Sequence, residues 1–317
     1  MTRLEAEPSS PQARKREKRD VHGWVVLDKP VGMSSTHAVS VVKRLFQAKR
    51  AGHAGTLDPL ASGVLPIALG EATKTVSFVM EGRKVYRFTV RWGEERDTDD
   101  AEGRITAVSA ERPKADAISA ALPRFVGQIA QVPPRYSAVK IDGERAYDLA
   151  RDGETVEIAA RQVEIHRLEL IETADQNHAK FLAECGKGTY VRALARDLGR
   201  LLGCLGHVAG LRRTVVGPFG EEVGVSLDAL QRLRPETAAA ERTVLLPVEA
   251  GLAALPALRV SSADAGRLAR GQAVLLRGRD APVMAGWVAV SSQGALIALA
   301  EVEKGELRPR RIFNLPR

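Results

Sequence analysis

The sequence predicts an α+β fold with a mixed, largely antiparallel sheet flanked by helices, followed by a small β-rich unit at the C-terminus. Segments with strand-like alternation and segments with helical periodicity follow one another without a regular βαβ rhythm, which disfavours a parallel α/β sheet. In about the last 60 residues, short apolar runs are separated by glycines, as in compact β structure. A chain of 317 residues is long enough for about two such units.

Residues 1–20 are predicted as a flexible basic arm, because they hold a run of Lys and Arg and almost nothing apolar that could be buried. Ordered structure is expected to begin near His22. Trp24–Leu27 has the character of a short buried strand, and residues 28–33 contain the Pro and Gly of the turn after it.

An amphipathic helix is predicted from Thr36, where apolar residues recur at helical spacing as far as Phe46 and Ser34 or Ser35 can cap the first turn. The helix and the loop after it carry four basic residues and no acidic residue before His53, which gives a local charge of +4. This segment is therefore expected to present a basic surface.

Further strands and helices are predicted downstream. The strands are Tyr86–Trp92, Gln162–Ile171 and Phe181–Glu184, and the helices are Ala115–Leu122 and Arg192–Leu202. Residues 232–256, in which three prolines stand among alanines, are the best candidate for a linker. Turns at glycines then separate the short runs of the C-terminal unit, Ala273–Leu276, Trp287–Val290 and Ala295–Ala300.

The composition favours a polyanionic partner without identifying it. Lys and Arg number 47 against 39 Asp and Glu, which gives a net charge of +8 and a pI near 9.7. Two cysteines, Cys185 and Cys204, are too few for a disulfide framework and lack zinc-ligand spacing, so we expect a reducing compartment and no metal. The N-terminus lacks the apolar stretch of a signal peptide, and no run reaches the length of a membrane span, so we expect a cytoplasmic protein.

The motifs of nucleotide-dependent and zinc-dependent enzymes are absent from the sequence. There is no G-x-x-x-x-G-K-[ST] and no G-x-G-x-x-G after a strand, so nucleotide-driven chemistry is not supported. The H-E-x-x-H and G-x-S-x-G motifs are missing as well, which disfavours a zinc protease and an α/β-hydrolase.

One carboxylate, Asp58, lies in a loop of unusual composition, Gly52–Pro66, which contains three glycines and two prolines. Such a loop turns tightly, lets its backbone approach a ligand closely, and holds Asp58 in an extended conformation before Pro59. An isolated Asp-Pro more often forms only an Asx turn. The preceding basic segment and His53, five residues before the carboxylate, shift the balance towards a reacting group.

Arg192, Arg196 and Arg200 recur at helical spacing within residues 185–213, a segment that holds six basic residues and one acid. They could form a basic stripe that attracts phosphates, or they could simply face solvent. Alternatively, Tyr190 and Arg192 face a cleft in which the arginine pairs with a buried carboxylate.

The predicted strand around Tyr86 places Lys84, Tyr86 and Phe88 on one face, where Tyr86 could stack on a base or pack into the core. Taken alone, this pattern favours the core. The acidic turn that follows, residues 94–100, lacks the residue order of an EF-hand loop.

Together, these clusters resemble the bacterial tRNA pseudouridine-55 synthases, the TruB family. The similarity runs in order over roughly residues 22–220 and is too specific to arise by chance, whereas the C-terminal unit is less distinctive. The matching segments are Leu27–Ser35, Gly52–Pro66, Gly70–Lys74, Lys84–Tyr86, Asp97–Asp100, Pro133–Lys140, Gly188–Arg192 and His207–Arg213.

The resemblance implies a pseudouridine synthase fold that isomerises one uridine in the T-loop of tRNA to pseudouridine, without a metal, nucleotide or redox cofactor. It implies a catalytic domain over residues 21–245, with a mobile RNA-binding loop near 130–155, and a PUA-like RNA-binding domain over residues 246–317. The expected partner is the T-arm stem-loop of tRNA, with phosphate contacts from basic surfaces at 43–50 and 187–213. The chain is expected to be monomeric.

Three catalytic residues follow from the same resemblance. Asp58 matches the family's nucleophilic aspartate, Tyr86 the tyrosine that stacks on the target base, and Arg192 the arginine paired with the nucleophile. An arginine within about 4 Å would keep the carboxyl of Asp58 ionised. Whether this carboxylate attacks C6 of the base, attacks C1′ of the sugar, or acts through a glycal intermediate stays open.

The resemblance also assigns substrate-binding positions. His53 matches the histidine that helps to extrude the target uridine, and Tyr190 and Leu211 match residues that line its pocket. Asp100 matches an active-site acid near the base, and Lys29 matches the lysine that supports the catalytic loop. Extrusion is expected because a base stacked inside the T-loop cannot expose its ring to an enzyme.

Two other functions stay open. An RNA chaperone built on the same scaffold would bind without catalysis, although the intact set of Asp58, Tyr86 and Arg192 disfavours this as the sole activity, and a tRNA-folding role can coexist with catalysis. A phosphate-handling or carboxylate-dependent hydrolase is the second alternative, but no partner general acid stands at a suitable position. Release of tritium from tRNA labelled with 5-³H-uridine separates these functions, because neither alternative displaces hydrogen from C5.

Overall fold

A computed structural model describes residues 18–137, 140–141, 144–145, 158–233, 238–276 and 284–316. Two of the sequence-based expectations concern segments that lie mainly outside these residues. The basic arm over residues 1–20, apart from its last three positions, lies outside the described residues, and so does most of the mobile loop near 130–155.

Strands and helices follow one another along the whole of the described chain. The strands are β1 (Gly23–Lys29), β2 (Ala51–His53), β3 (Ala61–Leu69), β4 (Lys84–Trp92), β5 (Glu94–Arg96), β6 (Ile105–Val108), β7 (Gly127–Gln131), β8 (Lys140–Ile141), β9 (Glu144–Arg145), β10 (Arg161–Asp175), β11 (His178–Cys185), β12 (Gly206–Val216), β13 (Phe219–Gly220), β14 (Val225–Ser226), β15 (Ala257–Arg259), β16 (Val274–Leu275), β17 (Gly286–Ser292), β18 (Ala295–Glu303) and β19 (Glu306–Ile312). The α-helices are α1 (Ser35–Leu45), α2 (Val76–Glu81), α3 (Ala115–Ala121), α4 (Val191–Leu201), α5 (Leu227–Leu233), α6 (Ala238–Val244) and α7 (Ser262–Ala269). Short 3₁₀ helices cover Gly70–Thr75, Leu122–Phe125, Glu221–Val223 and Val248–Leu252. In the described ranges, no helix is both long enough and apolar enough to cross a bilayer.

Ten strands form one mixed sheet, whose main path runs β14-β1-β3-β12-β4-β11-β10-β7, with β13 beside β12 and β2 beside β3. Strand β1 is parallel to β14, and β3 is parallel to β12. The other described pairs of this sheet are antiparallel. The prediction of a mixed, largely antiparallel sheet is therefore confirmed.

The C-terminal part forms a second sheet of five strands in the order β15-β17-β18-β19-β16. Residues of α7 and of these strands share an apolar core of their own. Its fully buried members include Leu268, Val288, Val290 and Leu307. The predicted small β-rich unit at the C-terminus is therefore confirmed.

The main sheet is buried on both faces around β1 and β3. Val25 and Leu27 pack into a cluster that includes α1 and α4, whereas Trp24 and Val26 pack into a second cluster on the opposite face. A strand that is covered on both sides needs a continuous apolar run, and this explains the sequence of β1. The strand continues to Lys29, two residues beyond its predicted end, because Lys29 pairs with Gly63 of β3.

The start of α1 shows how two adjacent serines take different roles. Ser34 is the N-cap, since its hydroxyl accepts a hydrogen bond from the backbone N–H of His37 at 3.2 Å. Ser35 is buried instead, and its hydroxyl is bonded to the backbone of Leu57, close to the candidate carboxylate. The helix start thereby anchors the loop that carries Asp58.

Much of the segment predicted as a linker, residues 232–256, packs against the main sheet. Trp24 and Leu246 exchange backbone hydrogen bonds of 2.8 Å in both directions. Val248 and Leu252 are buried against Trp24, in the same cluster as Leu296, Leu299 and Phe313 of the C-terminal part. The apolar residues among the prolines explain why this stretch is folded onto its neighbours.

Replacement of Gly63 by alanine is expected to destabilise the fold strongly. Its φ of +103° disfavours any side chain, and an added Cβ would lie 2.2 Å from the carbonyl oxygen of Arg213. The unfolding free energy should fall by at least about 2 kcal/mol, measured by urea denaturation followed by circular dichroism. Gly52→Ala is the matched control, since its Cβ would meet no atom within 4 Å; equal losses in both variants would contradict this account.

Candidate active site

A cavity of about 410 Å³ opens where the loop before β3 meets strands β4 and β12 and the start of α4. The candidate residues that line it are Asp58, Tyr86, Tyr190, Arg192 and Leu211. These residues come from four separate parts of the sequence. The fold therefore brings the acid, both aromatic rings and the arginine to one cavity.

The Asp58 carboxylate forms an ion pair with Arg192, with a distance of 3.0 Å from Oδ2 to Nη2. The two side chains differ in exposure: 34% of Asp58 is accessible, compared with 7% of Arg192. The arginine is thus fixed inside the protein while the carboxylate stays open to a ligand.

Arg192 is held by more than Asp58. Its Nη1 lies 3.3 Å from Oδ2 of Asp100 and donates to the carbonyl of Thr98 at 3.0 Å. Its Nη2 also donates to the carbonyl of Tyr136 at 3.0 Å. Because these partners surround a planar guanidinium, its orientation towards Asp58 is fixed.

Asp100 is buried behind the arginine and does not line the main cavity. Its Oδ1 accepts hydrogen bonds from the hydroxyl of Thr98 at 2.6 Å and from the backbone N–H of Glu102 at 3.0 Å. With Asp58 and Arg192 it lines a second, smaller cavity of about 350 Å³. The turn that carries Asp100 is therefore ordered before any ligand binds.

Tyr86, Tyr190 and Leu211 form an aromatic and apolar part of the cavity wall. Gln131 fixes the backbone of Tyr190 by accepting from its N–H at 2.8 Å and donating to its carbonyl at 3.1 Å. Burial raises the pKa of the phenols of both Tyr86 and Tyr190, so both stay neutral at physiological pH. Leu211 of β12 completes an environment that suits a flat ring.

Lys29 lies beneath the loop and is fully buried. Its ammonium donates to the carbonyls of Pro30 at 2.9 Å and Met33 at 2.8 Å. Burial lowers its pKa to about 8, although the negative charge of Asp58 opposes this shift. The lysine therefore holds the turn after β1 in place. This turn bonds the loop, because the N–H of Gly32 donates to the carbonyl of Pro59 at 2.8 Å.

His53 is not among the residues that line the cavity. It lies half-buried on β2, opposite Ile67, at the start of the loop. Burial lowers the pKa of its imidazole, and the nearby Arg213 guanidinium lowers it further. Its buried Nδ1 finds no hydrogen-bond partner among the described residues.

The hypothesis that the arginines of α4 form a phosphate-binding or solvated stripe is wrong for two of the three. Arg192 and Arg196 are 6% and 7% exposed, and Arg196 pairs with Asp99 at 2.8 Å. Arg200 pairs with Glu95 at 2.6 Å on the surface. The acidic turn and β5 neutralise this helix face. For Arg192 the structure agrees with the other alternative, in which the arginine pairs with a buried carboxylate.

The basic surface expected over 187–213 is likewise largely neutralised by neighbouring acids. Lys187 pairs with Glu81 at 2.6 Å. Arg212 bonds Asp28 at 3.0 Å and Glu221 at 2.5 Å. These ion pairs leave less free positive charge near the cavity than the sequence count suggests.

Sequence reasoning missed two residues that hold the loop. Ser35 donates to the carbonyl of Leu57 and accepts from its N–H, both at 2.8 Å. Arg213 is 1% exposed, and its guanidinium bonds three backbone carbonyls around the loop. Strand alternation could have indicated Arg213, because it shares a face of β12 with the predicted pocket residue Leu211.

In the described part of the chain, no three His, Cys, Asp or Glu side chains are grouped so that they could hold a metal ion. The cavity offers one carboxylate, that of Asp58, together with two guanidiniums, two lysine ammonium groups and three tyrosines. Such a set suits a reaction on a planar ligand in which the acid acts as a nucleophile or stabilises a cation.

Most of the chain matches known protein families. Residues 43–191 match the N-terminal domain of TruB family pseudouridylate synthases. Residues 192–253 match the C-terminal domain of tRNA pseudouridylate synthase B, and residues 256–313 match the C-terminal domain of pseudouridine synthase II TruB.

Similar proteins include the tRNA pseudouridine synthase B of Nitrobacter winogradskyi, 69% identical over 95% of this chain and 85% of that protein. The tRNA pseudouridine synthase B of Agrobacterium fabrum is 55% identical over 98% of this chain and 100% of that protein. Among solved structures, an archaeal box H/ACA sRNP Nop10-Cbf5 complex has a chain with a TM-score of 0.70 and 26% identity, covering 92% of this chain and 86% of its own length. The chain belongs to the TruB family of pseudouridylate synthases.

Proposed function

We propose that this protein isomerises uridine 55 in the T-loop of tRNA to pseudouridine, with Asp58 as the nucleophile. The observation that carries the proposal is the accessible Asp58 carboxylate, paired at 3.0 Å with the buried Arg192 in a cavity that also contains Tyr86. The name of the curated relatives, tRNA pseudouridine synthase B, supports tRNA as the substrate.

The reaction breaks the bond between N1 of the uracil and C1′ of the ribose and forms a bond between C5 and C1′. The hydrogen on C5 is lost to solvent and N1 gains a proton, so the product is an isomer and the reaction needs no cofactor. A carboxylate close to the sugar and base serves this exchange, because it can form or stabilise the intermediate before the base rotates. Arg192 pairs with that carboxylate at 3.0 Å and holds its position at the cavity.

A uridine must leave its stack to reach the cavity, which costs a few kcal/mol. Stacking of the extruded base on Tyr86, between Tyr190 and Leu211, offsets this cost. His53 lies at the edge of the loop, where a flat ring can take the place of the extruded base in the T-loop. Its location outside the cavity suits this role better than contact with the reacting atoms.

Asp100 and Lys29 hold other residues of the site in place. Asp100 holds the guanidinium of Arg192 through Nη1, whereas Asp58 pairs with Nη2. Lys29 fixes the turn that supports the loop through the carbonyls of Pro30 and Met33. Both are therefore positioning residues in this proposal.

The proposed partner is the T-arm stem-loop of tRNA. Residues 21–245 would form the catalytic domain, and residues 246–317 a PUA-like RNA-binding domain, in a monomer that works where tRNA is found, in the cytoplasm. On α1 and in the loop after it, Lys43, Arg44 and Arg50 form no ion pair with any residue in the described ranges, and they remain at least partly exposed. They are the best candidates for phosphate contacts.

Asp58→Asn is expected to abolish turnover while tRNA binding survives, because the change removes the charge and preserves the shape. Tritium release from 5-³H-uridine-labelled tRNA should fall by at least about 10³-fold, and the Kd from filter binding should stay within about threefold. Asp116→Asn on the exposed surface of α3 is the control and should match the unmodified enzyme. Substantial turnover by the Asp58 variant would refute the assignment.

Binding should depend on salt through the basic residues after α1. In an Arg44→Ala/Arg50→Ala variant, the slope of log Kd against log salt should decrease by about one to two, since each lost phosphate contact contributes about 0.9. Arg167→Ala serves as the control, because that arginine is exposed and already paired with Glu169 at 2.6 Å. An unchanged slope in the double variant would place the phosphate contacts elsewhere.

The buried Lys29 should make stability depend on pH in the alkaline range. Its pKa is about 8 when folded and 10.5 as the ordinary value, so between these values the unfolded chain binds more protons. The unfolding free energy of the unmodified protein, relative to Lys29→Met, should therefore rise as pH increases through 8, by up to about 1.4 kcal/mol per pH unit. Urea denaturation between pH 7 and 9.5 measures this; a difference between the two proteins that stays constant with pH would contradict it.

A further inference from the structure

Arg213 carries a buried positive charge, and its guanidinium donates to three backbone carbonyls. It is 1% exposed, and its Nε donates to Val64 at 2.9 Å, its Nη1 to Thr56 at 3.1 Å and its Nη2 to Gly55 at 3.0 Å. A buried guanidinium is costly to desolvate unless such bonds compensate it. An arginine at this position thus bonds backbone carbonyls that an apolar core residue could not bond.

The three carbonyls lie on both sides of Asp58. Gly55 and Thr56 precede it by three and two residues, whereas Val64 follows it on β3. One planar group therefore joins the beginning of the loop to the strand that receives its end. The backbone of Arg213 packs so closely against Gly63 that a Cβ there would lie 2.2 Å from its carbonyl oxygen.

Arg213 also faces Tyr86. The two residues are direct partners in the pairing of β12 with β4, and both line the cavity. Burial raises the pKa of the Tyr86 phenol, and the nearby positive charge of Arg213 opposes this rise. Arg213 therefore bonds the loop that carries Asp58 and lies opposite Tyr86 across the two strands.

We propose that Arg213 is a positioning residue for the isomerisation, which clamps residues 55–58 so that the Asp58 carboxylate meets the extruded nucleoside at reactive distance. This inference rests on the proposed function. A displacement of about 1 Å in a reacting group can cost about 10²-fold in rate, so loosening of the clamp should affect chemistry much more than binding. Lysine cannot replace the clamp fully, because its donors radiate from one atom and cannot span three carbonyls in one plane.

The test compares Arg213→Met and Arg213→Lys with the unmodified enzyme. Single-turnover tritium release at saturating tRNA should fall about 100-fold in the methionine variant and about 10-fold in the lysine variant. The Kd for tRNA should stay within about threefold in both. Thr214→Val is the matched control, since Thr214 is the buried neighbour on β12 and bonds only Val85 among its described partners, at 3.3 Å; it should retain its rate.

Rescue separates positioning from a general loss of folding. Arg213→Ala leaves space next to the cavity for a free guanidinium ion. Millimolar guanidinium should therefore raise the single-turnover rate of this variant at least about fivefold, with no such gain in the unmodified enzyme. Thermal melting of each variant gives the folded fraction. A rate loss that merely follows this fraction, without rescue, would overturn the inference.

The same data distinguish this inference from the proposed function. If the unmodified enzyme fails to release tritium from uridine 55, the proposed function fails. If it releases tritium and the folded methionine variant does so equally fast, only the role of Arg213 fails.

Discussion

One buried guanidinium, that of Arg192, is shared by two carboxylates, and the arrangement of the site depends on it. A buried arginine must be paired and hydrogen-bonded, so the segments that carry its partners have to converge on it. Asp58 comes from the loop before β3, Asp100 from the acidic turn after β5, and the arginine from the first turn of α4. The same interaction that satisfies the arginine leaves Asp58 as the accessible member of the three.

The centre of the main sheet supplies the frame for this convergence. Strands β3, β12 and β4 are neighbours, so the loop before β3, Leu211 and Arg213 on β12, and Tyr86 on β4 are brought side by side. The parallel pairing of β3 with β12 sets Ala61 opposite Leu211. Residues far apart in sequence thus line one cavity because their strands are adjacent.

Local sequence patterns predicted helices α1, α3 and α4 and several of the strands, and the Gly-rich loop pointed to Asp58. The fate of charged residues was harder to predict, since spacing shows which side chains share a helix face but not what that face meets. Arg196 illustrates this limit: helical spacing suggested a surface stripe, whereas the distant Asp99 buries and neutralises it. Strand alternation could place Arg213 beside the pocket but not identify its acceptors, which are backbone carbonyls that only the tertiary fold assembles.

The packing around Trp24 has a consequence for the integrity of the whole chain. Trp24 lies near the start of β1 and is buried with Val248, Leu252 and Phe313 of the C-terminal part. Lys29, at the other end of the same strand, lies under the loop that carries Asp58. Removal of the C-terminal part would uncover a large indole and its apolar neighbours on a strand that ends at the site. A shortened protein would therefore risk self-association through that surface, and enzymological comparisons are better made with the intact polypeptide.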